Sequence, residues 1–109
     1  MKFDGVLLVC AAFSIPLLAV AKLPFANDEF GKVERTLSIC SELTPQSADK
    51  YHEIAKRYVG NAPEEELAEA RKTPEYKEAY ESSGALLADM PKERLIETCN
   101  AFLKAKDLR

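Results

Sequence analysis

The chain has no tryptophan, one histidine and only four glycines in 109 residues. Each shortage removes a class of chemistry. The common zinc sites collect several His or Cys ligands, so a single histidine leaves no metal centre to expect. That residue, His52, sits in "HEIAK", where Lys56 occupies the place of the second histidine of a metalloprotease helix. A catalytic triad needs a base and an orienting acid around a nucleophile, and no nucleophile elbow accompanies His52. A solvated residue beside Asp49 and Lys56 is the expectation. No glycine-rich loop follows a strand, so nothing cradles a phosphate. Paired carboxylates can hydrolyse glycosides, but that chemistry needs a cleft that short helices without aromatic platforms do not promise. No stretch alternates apolar and polar residues long enough to form a strand. Lys and Arg form no basic stripe, which excludes nucleic acid as an expected partner. No enzymatic activity and no cofactor are expected.

What is present begins with a hydrophobic run. "VLLVCAAFSIPLLAVA", residues 6–21, follows Lys2 and ends in Ala19-Val20-Ala21, a small-x-small pattern that signal peptidase accepts. It is shorter than the roughly 20 residues of a transmembrane helix. The sequence predicts a cleaved signal over 1–21, containing Cys10, and a new N-terminus at Lys22. Asp4 weakens the n-region and keeps an uncleaved anchor as the competing expectation. Removing 1–21 takes one base, Lys2, and one acid, Asp4, so the net charge stays −3. The protein is expected to be exported, periplasmic or secreted, without stable membrane insertion after cleavage.

Two cysteines then remain, Cys40 and Cys99. An even count in an exported chain predicts a disulfide. Closing so long a loop is worth about 4 kcal/mol on a chain-entropy account, a large share of the stability of a domain this small.

The mature chain reads as a lead-in at 22–27 followed by one helical domain at 28–109. The expected fold is all-α, a small bundle of four to five short helices with the first and last joined by the disulfide. Phe30, Val33, Leu37, Cys40 and Leu43 mark one face of a first helix, with Asn27 as its cap. Thr44-Pro45 and Thr73-Pro74 each place a capping residue before a proline at the first helical position. Gly60 stops the second helix, and Asn61 with Glu64 predicts a capping box for the third. Tyr76, Ala79, Tyr80, Ser83, Leu86 and Leu87 are assigned inward on the fourth. Leu95, Ile96, Cys99, Phe102 and Leu103 are assigned inward on the last, which opens at "DMPKER". Gly84 is read as a point of close helix approach.

Tyrosine supplies much of the large core volume: Tyr51, Tyr58, Tyr76 and Tyr80 all fall on faces shared with alanine or leucine. Tyr76, in the first turn of its helix, is the ring whose burial is least assured. Residues 64–81 hold seven acidic and three basic side chains. These features define the expected contact surface, Glu65, Glu69, Glu75, Tyr76 and Tyr80, for another extracytoplasmic protein with a basic surface. The expected function is non-enzymatic protein binding of the inhibitor, immunity or stress-chaperone kind. The alternative is a carrier of a small apolar ligand, held in a cavity lined by Tyr51, Tyr58 and Leu87.

Overall fold

Proline, threonine and glycine decide most of the helix ends. The computed structural model describes residues 23–105, and all regular structure among them is helical. The signal-like segment with Cys10, the expected cleavage point before Lys22, and residues 106–109 lie outside the described residues. The elements are α1 (Asn27–Leu43), a 3-10 turn (Pro45–Ser47), α2 (Ala48–Val59), α3 (Glu64–Ala70), α4 (Pro74–Ala88) and α5 (Lys92–Lys104).

The capping chemistry holds in part. Thr73 accepts a hydrogen bond from the Tyr76 amide at 3.3 Å and donates its hydroxyl to the Ala70 carbonyl at 2.7 Å. One side chain thus closes α3 and opens α4. Gly60 ends α2 at a φ of 59°, the left-handed region that a residue with a Cβ resists. Elsewhere the expected caps are displaced. Thr44 donates to the Cys40 carbonyl at 3.1 Å, finishing α1, and Pro45 opens a 3-10 turn before α2. The Asn61–Glu64 box does not form. Pro63 takes the cap position of α3, because a residue preceding proline is disfavoured from helical backbone. At α1 the helix already includes Asn27, and Asp28 accepts from the Glu29 amide at 2.9 Å. Asp89 closes α4 instead of opening α5.

α1 is the central helix. Its buried residues, Phe30, Gly31, Val33, Thr36, Leu37 and Cys40, spread over more than one face, because α2, α4 and α5 all pack on it. α4 lies closest, through the stripe Tyr76, Ala79, Ser83 and Leu87. That spacing turns Leu86 outward, leaving it 65% exposed where an inward position was expected. Ile96 of α5 is likewise exposed. The tight backbone approach falls at Gly31, where a Cβ would stand 2.5 Å from the Tyr76 carbonyl oxygen and 3.2 Å from the Tyr80 nitrogen. At Gly84 the close neighbour is a side chain, Arg35, whose Nε would lie 2.8 Å from a Cβ. α4 runs unbroken through Ser82-Ser83-Gly84.

The core is a chain of rings. Phe25 stacks on Tyr58 at 4.7 Å and meets Phe30 at 5.0 Å; Phe30 meets Tyr76 at 5.3 Å, and Tyr76 meets Tyr80 at 5.7 Å. Each such pair adds about 0.5–1.5 kcal/mol beyond its burial. Phe25 comes from the segment read as a lead-in, which therefore contributes to the core. α5 is attached differently. Cys99 is its one buried residue, bonded to Cys40 across a sequence separation of 59. The buried Tyr51 hydroxyl donates to the Cys99 carbonyl at 3.2 Å beside the disulfide. The first and last helices are thus joined as expected.

Candidate functional site

α1 faces α2 on one side and α4 on the other, and the side chains between the three helices bound a groove of about 460 Å³. Its centre is an α1 stripe at helical spacing, Glu34, Ser38, Ser41 and Glu42. α2 supplies Tyr51, His52 and Ala55, and α4 supplies Tyr76 and Tyr80. The groove is open to solvent, and His52 and Glu42 are exposed at it.

At one end a polar network ties three elements together. Arg71, in the α3–α4 connection, forks onto Glu34 through Nε at 2.9 Å and Nη2 at 2.8 Å. Tyr76 donates its hydroxyl to the same carboxylate. The Arg71 guanidinium also lies 5.1 Å from the Phe30 ring centroid, a cation–π contact. Bidentate guanidinium–carboxylate bonds combine charge with fixed geometry, so Arg71 registers the α3–α4 connection against α1. Burial first, and then the bond to Glu34, push the Tyr76 phenol well above its ordinary value. The bond to Glu34 raises Arg71 further above its already high one. A phenol held protonated this firmly is a donor at neutral pH, and neither a base nor a nucleophile.

The expected surface residues separate into two groups. Glu65 and Glu69 on α3 and Glu75 at the start of α4 are exposed. Tyr76 is not: its ring is 8% exposed, between Phe30 and Tyr80, with its hydroxyl turned to Glu34. Its place in the first turn suggested exposure, but the stripe facing α1 begins with it. Tyr80 is half-buried, with the Arg35 guanidinium 5.1 Å from its ring centroid. Of the cations in the acidic stretch, Arg71 is taken by Glu34 and Lys72 lies 3.4 Å from Glu69. One oxygen of Glu66 is buried without a hydrogen-bond partner among the described residues.

The three residues expected around an enclosed cavity are placed apart in role. Tyr51 lines the open groove, Tyr58 is stacked on Phe25, and Leu87 lies on the inner stripe of α4. Among the described residues no cluster of His, Cys, Asp or Glu could hold a metal ion, and no helix is long and apolar enough to cross a membrane.

Sequence reasoning missed Glu34, Arg71 and the groove. Glu34 lies 37 residues from Arg71 and 42 from Tyr76, so no local spacing could announce the network. No protein-family description, curated protein or solved structure matches this chain.

Proposed function

We propose that this protein is exported and works without catalysis, by binding another extracytoplasmic protein through the acidic face of α3 and the start of α4. The observation that carries the reading is the charge balance of that face. Glu65, Glu69 and Glu75 stand in solvent on consecutive elements. Arg71 is spent on Glu34 of α1 and Lys72 meets Glu69 at 3.4 Å, which leaves Glu65 and Glu75 without an ion pair among the described residues. A surface with an excess of carboxylates, seven against three cations over residues 64–81, attracts a basic partner and raises its association rate. Export rests on the signal pattern at residues 1–21, and the Cys40–Cys99 disulfide suits an oxidising compartment.

The test is capture of a partner from envelope extract by the oxidised protein, compared with the variant Glu65→Lys, Glu69→Lys, Glu75→Lys. All three positions are exposed, so the variant keeps the fold, and unchanged far-UV circular dichroism checks this. One stoichiometric partner, retained by the parent and lost by the variant, is the expected result. Equal capture by both refutes the acidic face as the contact.

A further inference from the structure

We propose that the groove between α1, α2 and α4 receives a lysine or arginine side chain projecting from an extended segment of the protein partner. The inference rests on the protein-binding reading and supplies the partner's chemistry at a second point of contact.

Two of the groove's three walls carry acceptor oxygens and aromatic rings. α1 presents the carboxylates of Glu34 and Glu42 and the hydroxyls of Ser38 and Ser41, while α4 presents the half-buried ring of Tyr80 beside the buried Tyr76. No lysine or arginine lines it. Acceptor oxygens beside π faces attract ammonium and guanidinium groups. The molecule uses this chemistry twice at the groove's margin: Arg71 forks onto Glu34, and Arg35 lies over Tyr80. Those contacts also decide where an incoming cation would go. Glu34 is already engaged by Arg71 and Tyr76. Glu42, exposed and unpaired among the described residues, is the carboxylate left to receive it.

Size and shape favour a tethered ligand. A volume of about 460 Å³ holds a long side chain with some of its backbone, within the roughly 300–1,000 Å³ usual for ligand sites. Such sites normally enclose most of a free small molecule, whereas this groove is open along its length and a chain segment can cross it. Continuity of charge supplies the direction. Glu75, on the acidic face, stands in the first turn of α4, the helix that also supplies the Tyr76–Tyr80 wall of the groove.

The test uses two capped tripeptides and the full-length protein in its oxidised form. Ala-Arg-Ala carries the charge; Ala-citrulline-Ala has nearly the same shape without it. In 1H–15N spectra, Ala-Arg-Ala should give saturable shifts centred on the amides of Ser38, Ser41, Glu42, His52 and Tyr80. The citrulline peptide should bind roughly tenfold more weakly, the value of one charge-assisted bond at a partly exposed site. Glu42→Gln should remove that difference while leaving the thermal midpoint unchanged. Equal binding of the two peptides, shifts centred on α3, or no shifts with either peptide would each overturn the inference. The two proposals fail separately. If the triple lysine variant loses the partner and the arginine peptide leaves the groove undisturbed, the acidic face stands and the groove falls. If the triple variant keeps the partner and Glu42→Lys loses it, the groove stands and the acidic face falls.

Discussion

Gly31→Ala and Gly84→Ala put the same methyl group on two helices that pack together, and they should change stability in opposite directions. In a helix interior, alanine is worth about 1 kcal/mol more than glycine. At Gly31 that gain meets backbone. The new Cβ would stand 2.5 Å from the Tyr76 carbonyl oxygen, 3.2 Å from the Tyr80 nitrogen and 3.3 Å from the Ala79 Cβ. None of these can rotate away. Non-bonded carbon contacts are optimal near 3.5–4.0 Å, so α4 must withdraw from α1 by roughly 0.5–1 Å. Overpacking of this kind costs about 1–3 kcal/mol. The net expectation is a loss of up to about 2 kcal/mol, or up to roughly 15 °C in thermal midpoint for a domain of this size.

At Gly84 the nearest atom is Arg35 Nε at 2.8 Å, part of a flexible side chain on the half-buried outer margin of the contact. Arg35 can move at little cost, so Gly84→Ala should be neutral or more stable by up to about 1 kcal/mol. Urea unfolding of both variants, followed by far-UV circular dichroism and extrapolated linearly, measures the two signs side by side. Near-UV circular dichroism adds a second readout. Without tryptophan, that signal comes mainly from tyrosine, and Tyr76 and Tyr80 flank the strained crossing. A Gly31→Ala protein more stable than its parent would refute close backbone approach at this point.

The other predictions concern the disulfide and Tyr76. Cys40→Ala with Cys99→Ala opens a loop closed across a sequence separation of 59 and should cost about 4 kcal/mol; hydrogen exchange should show α5 opening ahead of α1 and α4, and equal protection of the three would contradict the reading that α5 is held chiefly by this bond. Tyr76→Phe removes one hydrogen bond to Glu34 and should cost about 1–2 kcal/mol at neutral pH. The folded-state phenol is raised above its unfolded value, so its stabilisation is complete below about pH 10 and is lost as pH rises beyond it. Parent stability should therefore fall with pH above that point more steeply than that of Tyr76→Phe, and parallel profiles would show that the hydroxyl is not held protonated by the fold.

What the sequence disclosed was what local chemistry determines. Thr73-Pro74 and Gly60 mark helix ends because cap, ring and left-handed backbone act within a few residues. The cysteine pairing followed from an even count and an expected oxidising compartment. Thr44 and Asn61 failed as caps for equally local reasons once their competitors are visible: the Cys40 carbonyl takes the Thr44 hydroxyl, and Pro63 moves the start of α3 past Asn61. Leu86 and Leu87 could not be ranked by hydrophobicity, since adjacent helical positions differ by about 100° and only the direction of α1 decides between them. The Glu34–Arg71–Tyr76 network and the groove belong to the tertiary level. They join residues whose separation in sequence carries no periodic signal.

That division makes Gly31 a test of the proposed site as well as of the fold. The groove's two side walls belong to α2 and α4, and each is positioned by packing on α1. Gly31 lines neither the groove nor the acidic face, yet its missing Cβ sets how closely the Tyr76–Tyr80 wall approaches α1. Gly31→Ala should shift that wall and weaken binding of the arginine peptide, with no groove side chain altered. The acidic face responds differently. Glu65 and Glu69 lie on α3, and surface carboxylates steer a partner over a Debye length of about 8 Å at physiological salt, a range little affected by a sub-ångström displacement. Partner association should therefore keep its rate and salt dependence in Gly31→Ala while the complex dissociates faster. A variant that associates more slowly but dissociates at the parent rate would assign steering to the moving wall and the lasting contact elsewhere, reversing the roles given to the two surfaces.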